Sequence, residues 1–276
     1  MTLDHPRRLT MIIPSMGRPA AAEEAALSAL ENAELPLTCV MIAVDGPHEP
    51  DQKAAYAAIA RPRIGVLFDD RHRGMVGTLN HHAHLHVGGD ASMMVHHRCR
   101  AATLPCPTVT HVGFMGDDHR VRTPGWDRIL TDAAGWTGIA YGDDLLRGEE
   151  LPTSVVMAAD IVRTLGWMAP PVLGHMYIDD YWRDLGQRVD DLHYCPDVVI
   201  EHMHPSAGKA EVDESYERTN HPDQYARDSA AYAEFRDHGG LGRDAFWVKA
   251  ARADLHLFGI GGVADGGGEG EDAHAA

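Results

Sequence analysis

The run Leu9-Thr10-Met11-Ile12-Ile13-Pro14, followed by Ser15-Met16-Gly17-Arg18-Pro19, decides the fold. A short, continuous apolar run closed by proline reads as a strand buried on both faces, because a half-exposed strand would alternate apolar and polar residues. Pro19 then opens a helix over Ala20 to Ala33, where Ala22, Ala26, Ala29, Leu30 and Ala33 form one apolar face. The pattern recurs downstream. A second strand, Cys39 to Val44, stops at the turn Asp45-Gly46-Pro47, a helical stretch covers about Asp51 to Ala60, and a third strand runs from Ile64 to Phe68. Strands alternating with helices specify an α/β chain with a mostly parallel sheet flanked by helices. Such sheets bind ligands beyond the carboxyl ends of their strands, which directs attention to Ser15 to Arg18, Asp45, and Asp69 to Arg73.

Length and charge narrow the possibilities. At 276 residues the chain has room for one large domain or two small ones. The pattern favours a single domain over residues 1–258, with a His-rich insertion at 81–107, a helical extension at 206–258 and a disordered tail at 259–276. Lys and Arg number 24 against 41 Asp and Glu, a net charge of −17, so bulk nucleic-acid binding through phosphate contacts is not expected. No apolar run approaches the roughly 18–20 residues of a membrane span, and no secretory leader pattern opens the chain, so a cytoplasmic protein is expected. Cys39, Cys99, Cys106 and Cys195 form no CxxC pair, which fits reduced thiols.

Further on, Thr110 to Met115 reads as a strand that delivers Gly116-Asp117-Asp118-His119, and the helix Trp126 to Ala134 follows. A short strand at Gly138 to Tyr141 precedes an irregular Gly/Asp/Glu segment at Gly142 to Thr153 and a helix from about Ala159 to Gly166. Tyr177 to Leu185 reads as a helix, Asp197 to Ile200 as a last strand that delivers Glu201-His202-Met203-His204, and Val212 to Arg236 as a polar helix. The stretch His81-His82-Ala83-His84-Leu85-His86, continued by His96, His97, Cys99 and Cys106, breaks the alternation. It reads as a solvated insertion, with zinc binding as the sharper alternative.

Chemistry concentrates at Gly116-Asp117-Asp118-His119. In an extended chain, residues two apart project to the same side, so Asp117 and His119 are expected to share a divalent cation while Asp118 points elsewhere.

The ordered set of motifs resembles the family-2-like glycosyltransferases with the GT-A fold, over roughly Leu9 to Pro205. Ile12-Ile13-Pro14-Ser15-Met16-Gly17-Arg18 is similar to the family's opening strand and turn, and Asp45 to its base-contacting Asp. Arg73-Gly74-Met75-Val76-Gly77-Thr78-Leu79-Asn80 looks like the basic and glycine-containing segment after its third strand. Asp117-Asp118-His119 resembles the Asp-x-Asp motif with His in the last place, a change that suits Mn²⁺ better than Mg²⁺. The resemblance implies a metal site of Asp117 and His119 completed by His202 or His204. It implies donor contacts from Pro14, Ser15, Arg18, Asp45, Arg73, Asn80, Gly116 and Asp118. Asp179-Asp180 looks like the acceptor-side acid pair, and one of the two would act as catalytic base, since successive helical residues point about 100° apart. The implied activity is metal-dependent, inverting transfer of a hexose from a nucleotide diphosphate sugar to a hydroxyl acceptor on a protein, glycan or modified base. Gly-Phe-Met-Gly-Asp-Asp-His and Glu-His-Met-His-Pro also resemble segments of glycosyltransferases expected in bacteriophage genomes, which would place the protein in a host cytoplasm.

Two rivals remain at the level of sequence. A nucleotidyltransferase would need a glycine-rich phosphate loop after the first strand, and Pro14-Ser15-Met16-Gly17-Arg18 is too poor in glycine. A non-catalytic sugar-nucleotide or zinc-binding protein of the same fold would have no need of the pair Asp179-Asp180. Trp126, Trp136, Trp167 and Trp182 read as core residues before they read as sugar platforms.

Overall fold

A computed structural model describes residues 6–46, 49–88, 109–209 and 221–257. The strands are β1 (Leu9–Ser15), β2 (Cys39–Asp45), β3 (Ile64–Asp69), β4 (His111–Phe114), β5 (His119–Val121), β6 (Ile139–Asp143), β7 (Val155–Ala158) and β8 (Leu192–His202). They form one sheet in the order β3-β2-β1-β4-β7-β6-β8-β5. The helices are α1 (Pro19–Glu31), α2 (Pro50–Ile59), α3 (Gly74–Val87), α4 (Trp126–Ala134), α5 (Ala159–Leu165), α6 (Ile178–Arg188), α7 (Pro222–Asp237) and α8 (Gly240–Leu257).

The continuous apolar strands do what their composition requires, burying both faces. On β1, Leu9, Met11 and Ile13 join Ala22, Ala26, Trp126 and Leu130 in one core, while Ile12 joins Leu79, Phe114 and Trp182 in the other. Trp126 and Trp182 are fully buried and donate their indole N–H groups to the Ala29 and Met168 carbonyls, so both are core residues.

The sheet is parallel from β3 through β2 and β1 to β4, and mixed beyond. There β7 runs antiparallel to both β4 and β6, β6 pairs parallel with β8, and β8 pairs antiparallel with β5. Both β7 and β5 are absent from the sequence reading, because runs of four and three residues carry too little periodicity to announce a strand. Strand β8 also begins five residues earlier than expected, at Leu192.

Two expectations about the periphery are corrected. Residues 81–87 are not an insertion: His81, His82, His84 and His86 form the second half of α3, and the helical spacing of their buried members is the signal that was overlooked. The remainder of the expected insertion, with His96, His97, Cys99 and Cys106, lies outside the described residues, as does the expected tail at 259–276. In the expected helical extension, the polar helix at 212–236 is described from Pro222 as α7, its first part, residues 212–220, lying outside the described residues, and a second helix, α8, that the sequence reading lacks follows after His238-Gly239. Among the described residues, Cys195 is a free thiol.

Helix α3 carries an unusual buried stripe. Thr78, His82 and His86 recur every four residues on one face, and Thr78 Oγ1 and all four ring nitrogens are buried with no hydrogen-bond partner among the described residues. Burial holds His82 down at about 3 and His86 at about 4. An imidazole kept neutral in the folded state and free to protonate near 6.5 when unfolded contributes stability in full above that pH, and the contribution is lost as pH falls toward the folded value. Between pH 7 and pH 5 the wild-type protein should therefore lose about 2 kcal/mol more unfolding free energy than His82→Gln. Urea titrations at the two pH values check this, and parallel losses in the two proteins would contradict it.

Candidate functional site

Strand ends converge on one edge of the sheet, and those of β2, β3, β4 and β6 bring carboxylates. Some of these carboxylates build the scaffold. Asp45 accepts the backbone N–H of Arg73 at 2.8 Å on Oδ1 and that of Gly74 at 3.0 Å on Oδ2, with His72 Nδ1 3.2 Å away. It thus caps the start of α3, where unpaired amide groups need an acceptor. Asp69 accepts from the Arg71 N–H and pairs with the Arg73 guanidinium, which holds its carboxyl below the usual range although burial pushes the other way. Asn80 is also engaged: its Oδ1 accepts from Met168 and Ala169 N–H, and its Nδ2 donates to the Ala169 carbonyl.

The turn after β4 separates its two aspartates. Asp117 lies against β1, where its Oδ2 accepts from Ser15 Oγ at 2.7 Å and its Oδ1 lies 3.0 Å from Arg18. Tyr56 Oη accepts from the Arg18 N–H, and the Tyr56 and Ser15 hydroxyls are 2.7 Å apart. With the Ser15 proton directed to Asp117, the Tyr56 hydroxyl donates to Ser15. Burial pushes the Asp117 carboxyl up to about 6, against the pull of Arg18. Pro14, one residue before the end of β1, is half-buried beside this network.

Asp118 takes the opposite direction, toward two histidines. Its Oδ1 is 3.0 Å from His119 Nδ1 and its Oδ2 is 3.3 Å from His202 Nε2. One ligand atom from each of Asp118, His119 and His202 falls within 4.8 Å of the others, the separation a shared cation requires. The expected partnership of Asp117 with His119 is thus replaced by one of Asp118 with His119. Residues 116–118 form a turn, not a strand, so alternation of side chains does not apply there. Gly116 permits the arrangement: a Cβ at this position would collide with Asp118 Oδ1 and lie 2.8 Å from His119 Nδ1.

His119 opposes His202 in the β5–β8 register, and the two rings stack at 4.2 Å and 18°. His204 meets His202 edge-on at 5.0 Å and stays outside the three-residue cluster. Asp144 at the end of β6 completes the setting. It accepts from the N–H groups of Leu146, Arg147 and Gly148 and from Thr153 Oγ1, lies 3.8 Å from His202 Nδ1, and its carbonyl accepts the His202 N–H. Burial opposes a charge on His202, but Asp118 and Asp144 outweigh it and raise the imidazole to about 9. Asp144 was not singled out from sequence. The signal was available, an acidic residue at the carboxyl end of a parallel strand, but it was hidden in a segment read as irregular.

A divalent ion fits this donor set on the structure's own terms. Among the described residues His119 Nε2 and His202 Nδ1 are buried with no hydrogen-bond partner, and one carboxylate with two imidazoles suits Mn²⁺ or Zn²⁺ better than Mg²⁺. Asp118 also faces an open cleft of about 380 Å³ lined by Arg18, Glu24, Arg120, Arg122, Met203 and Lys209, in which Arg18 pairs with Asp117, Arg120 with Glu24, and Arg122 and Lys209 with Glu201.

The pair Asp179-Asp180, expected on an acceptor side, divides. Asp180 is 2.8 Å from Arg183 and so is neutralised within its own helix. Asp179 pairs with no cation within salt-bridge distance among the described residues, and burial together with the neighbouring Asp180 charge pushes its carboxyl up to about 6. The N-cap of this helix, Tyr177, has φ of +67°, an uncommon backbone state for a bulky residue.

No family profile and no curated protein sequence matches this chain. Solved structures do. A mannosyltransferase from Pyrobaculum calidifontis, determined with GDP-Man and Mn²⁺, aligns with a TM-score of 0.50 at 16% identity, covering 92% of this chain and 81% of the other. The glucosyl-3-phosphoglycerate synthase of Mycobacterium tuberculosis aligns at 0.49 and 10% identity over 82% and 78%. TarS of S. aureus aligns at 0.49 and 10% identity, over 80% of this chain and 43% of the other. The similarity to the mannosyltransferase shows that this chain has the GT-A-type α/β fold.

Proposed function

We propose that the protein is a metal-dependent glycosyltransferase that moves a sugar from a nucleotide diphosphate donor to a hydroxyl acceptor with inversion. The observation that carries this reading is the cluster of Asp118, His119 and His202 at the carboxyl edge of the sheet, beside a cleft that four basic side chains line together with their carboxylate partners. The mannosyltransferase that shares the fold was determined with GDP-Man and Mn²⁺, which supports the same classes of donor and ion here. Asp118, His119 and His202 would hold the ion, which when bound supplies positive charge against a departing diphosphate. Arg18, Arg120, Arg122 and Lys209 are positioned to bind and orient the anionic end of a donor. Asp179 would accept the acceptor's hydroxyl proton as the new carbon–oxygen bond forms at the anomeric carbon and the bond to diphosphate breaks. Asp45, Arg73 and Asn80 shape the donor side indirectly, through the start of α3 and the loop it touches.

Two measurements test the assignment. In titrations with Mn²⁺ alone, Asp118→Ala and His202→Ala should each bind the ion on the order of 100-fold more weakly than wild type, while Asp117→Asn should stay within a few-fold. Equal losses in Asp117→Asn and Asp118→Ala would return the metal site to the 117/119 pairing. With a panel of nucleotide sugars and Mn²⁺, Asp179→Asn should reduce turnover by about 10²- to 10⁴-fold and Asp180→Asn by less than about tenfold. A base must be unprotonated, so wild-type turnover should fall as pH drops through about 6, and Asp179→Asn should lack that limb. A limb unchanged by the substitution would remove Asp179 from the role.

A further inference from the structure

Helices α7 and α8 lie outside the family resemblance, yet they reach the loop that leads to Asp179. Asp228 on α7 is 3% exposed. Its Oδ1 accepts the Gly174 N–H at 3.0 Å, and its Oδ2 accepts the N–H groups of His175 at 2.8 Å and Met176 at 2.7 Å. The Gln224 amide donates to the same Oδ2 at 2.8 Å. Three successive backbone amides converging on one buried carboxylate fix the path of a loop far more tightly than a surface hydrogen bond does.

The loop so held lies between the two halves of the proposed site. The Gly174 carbonyl accepts the Val76 N–H at the start of α3, and His175 is within electrostatic reach of both Asp228 and Asp118. Next comes Tyr177, whose left-handed backbone persists only where its surroundings impose it. Those surroundings also come from α7: the Tyr177 ring lies 5.8 Å from that of Tyr232, stacked at 25°, and 5.3 Å from that of Tyr225. Two residues later stands Asp179.

We infer that Asp228 is a positioning residue, clamping the 174–176 amides from α7 so that the strained turn at Tyr177 presents Asp179 to the acceptor. The clamp itself is independent of the reaction, whereas its catalytic consequence rests on the function proposed above. The replacement Asp228→Asn keeps shape and volume but turns an amide N–H₂ group toward donors, so at least one of the loop N–H groups loses its acceptor. Tyr232→Phe serves as a control, since it removes a hydrogen bond from α7 to Asp184 at 2.7 Å without touching the clamp.

Hydrogen exchange followed residue by residue on the full chain should show the amides of Gly174, His175 and Met176 exchanging at least tenfold faster in Asp228→Asn, with the β1 and β2 amides unchanged. The Asp179 carboxyl, followed by NMR titration, should move from about 6 toward the ordinary aspartate value, and Tyr232→Phe should change neither reading. Protection at 174–176 equal to wild type, faster exchange throughout the sheet, or an unmoved Asp179 titration would each overturn the inference. Where donor turnover is present, Asp228→Asn should lower kcat about tenfold with donor KM unchanged, and an unchanged kcat would also overturn it. A wild-type protein without turnover on any donor would refute the proposed function and leave exchange and titration to decide the clamp.

Discussion

The pairing of His119 with His202 across β5 and β8 is the constraint on which the site depends. Neither histidine is near the other in sequence, and a one-residue slip of this short antiparallel pair would turn one ring to the opposite face. The register is held at both ends of the contact. The Met203 N–H donates to the Asp118 carbonyl at 2.8 Å, and the His202 N–H donates to the Asp144 carbonyl at 3.0 Å. Through these two bonds the last strand is tied to the turn after β4 and to the end of β6, so three chain segments fix one pair of imidazoles. The rings stack because the backbone leaves them opposite each other, and Asp118 then reaches a nitrogen of each.

The carboxylates at the sheet edge share a position rule but not a task. Asp45 and Asp69 spend their oxygens on the loop entering α3, and Asp117 spends its own on Ser15 and Arg18. Asp144 binds the loop that follows it. Asp118 is different, because its side-chain oxygens meet imidazole nitrogens whose other ring positions are buried and, among the described residues, make no hydrogen bond. Where a carboxylate's acceptor sites are filled by backbone N–H groups it is a structural element, and where they face groups that want a further partner it belongs to a site.

That difference explains how much of the protein was legible in its sequence. The parallel half was, because Leu9 to Pro14, Cys39 to Val44 and Ile64 to Phe68 are apolar runs long enough to specify a doubly covered strand. The motif at 116–119, the histidines after the last strand and the acid pair at 179–180 were also visible, since their residue types mark them. The division of labour inside each motif was not. Asp117 and Asp118 are chemically identical, and only the turn that Gly116 permits decides which faces His119. Asp144 escaped notice because β7, which would have framed its loop, is only four residues long. The histidines of α3 misled for the opposite reason, since their chemistry suggested a solvated or metal-binding stretch while their spacing placed two of them in the core.

In the proposed metal site, a histidine at position 119 changes more than the identity of one ligand. Binding a cation requires His202 to give up the proton that Asp118 and Asp144 favour, and the cluster of one aspartate and two imidazoles then carries one negative charge, so it would attract a dication less through bulk charge and more through directed nitrogen donors. Asp144 offsets part of that loss from behind His202, at 3.8 Å from the ring nitrogen that Asp118 does not face. The facing cleft sets Arg18, Arg120, Arg122 and Lys209 near Asp118, each already paired with Asp117, Glu24 or Glu201. A cluster with one negative charge would leave a bound dication with unneutralised charge, which is the condition under which an anionic group completes such a site instead of being repelled by it.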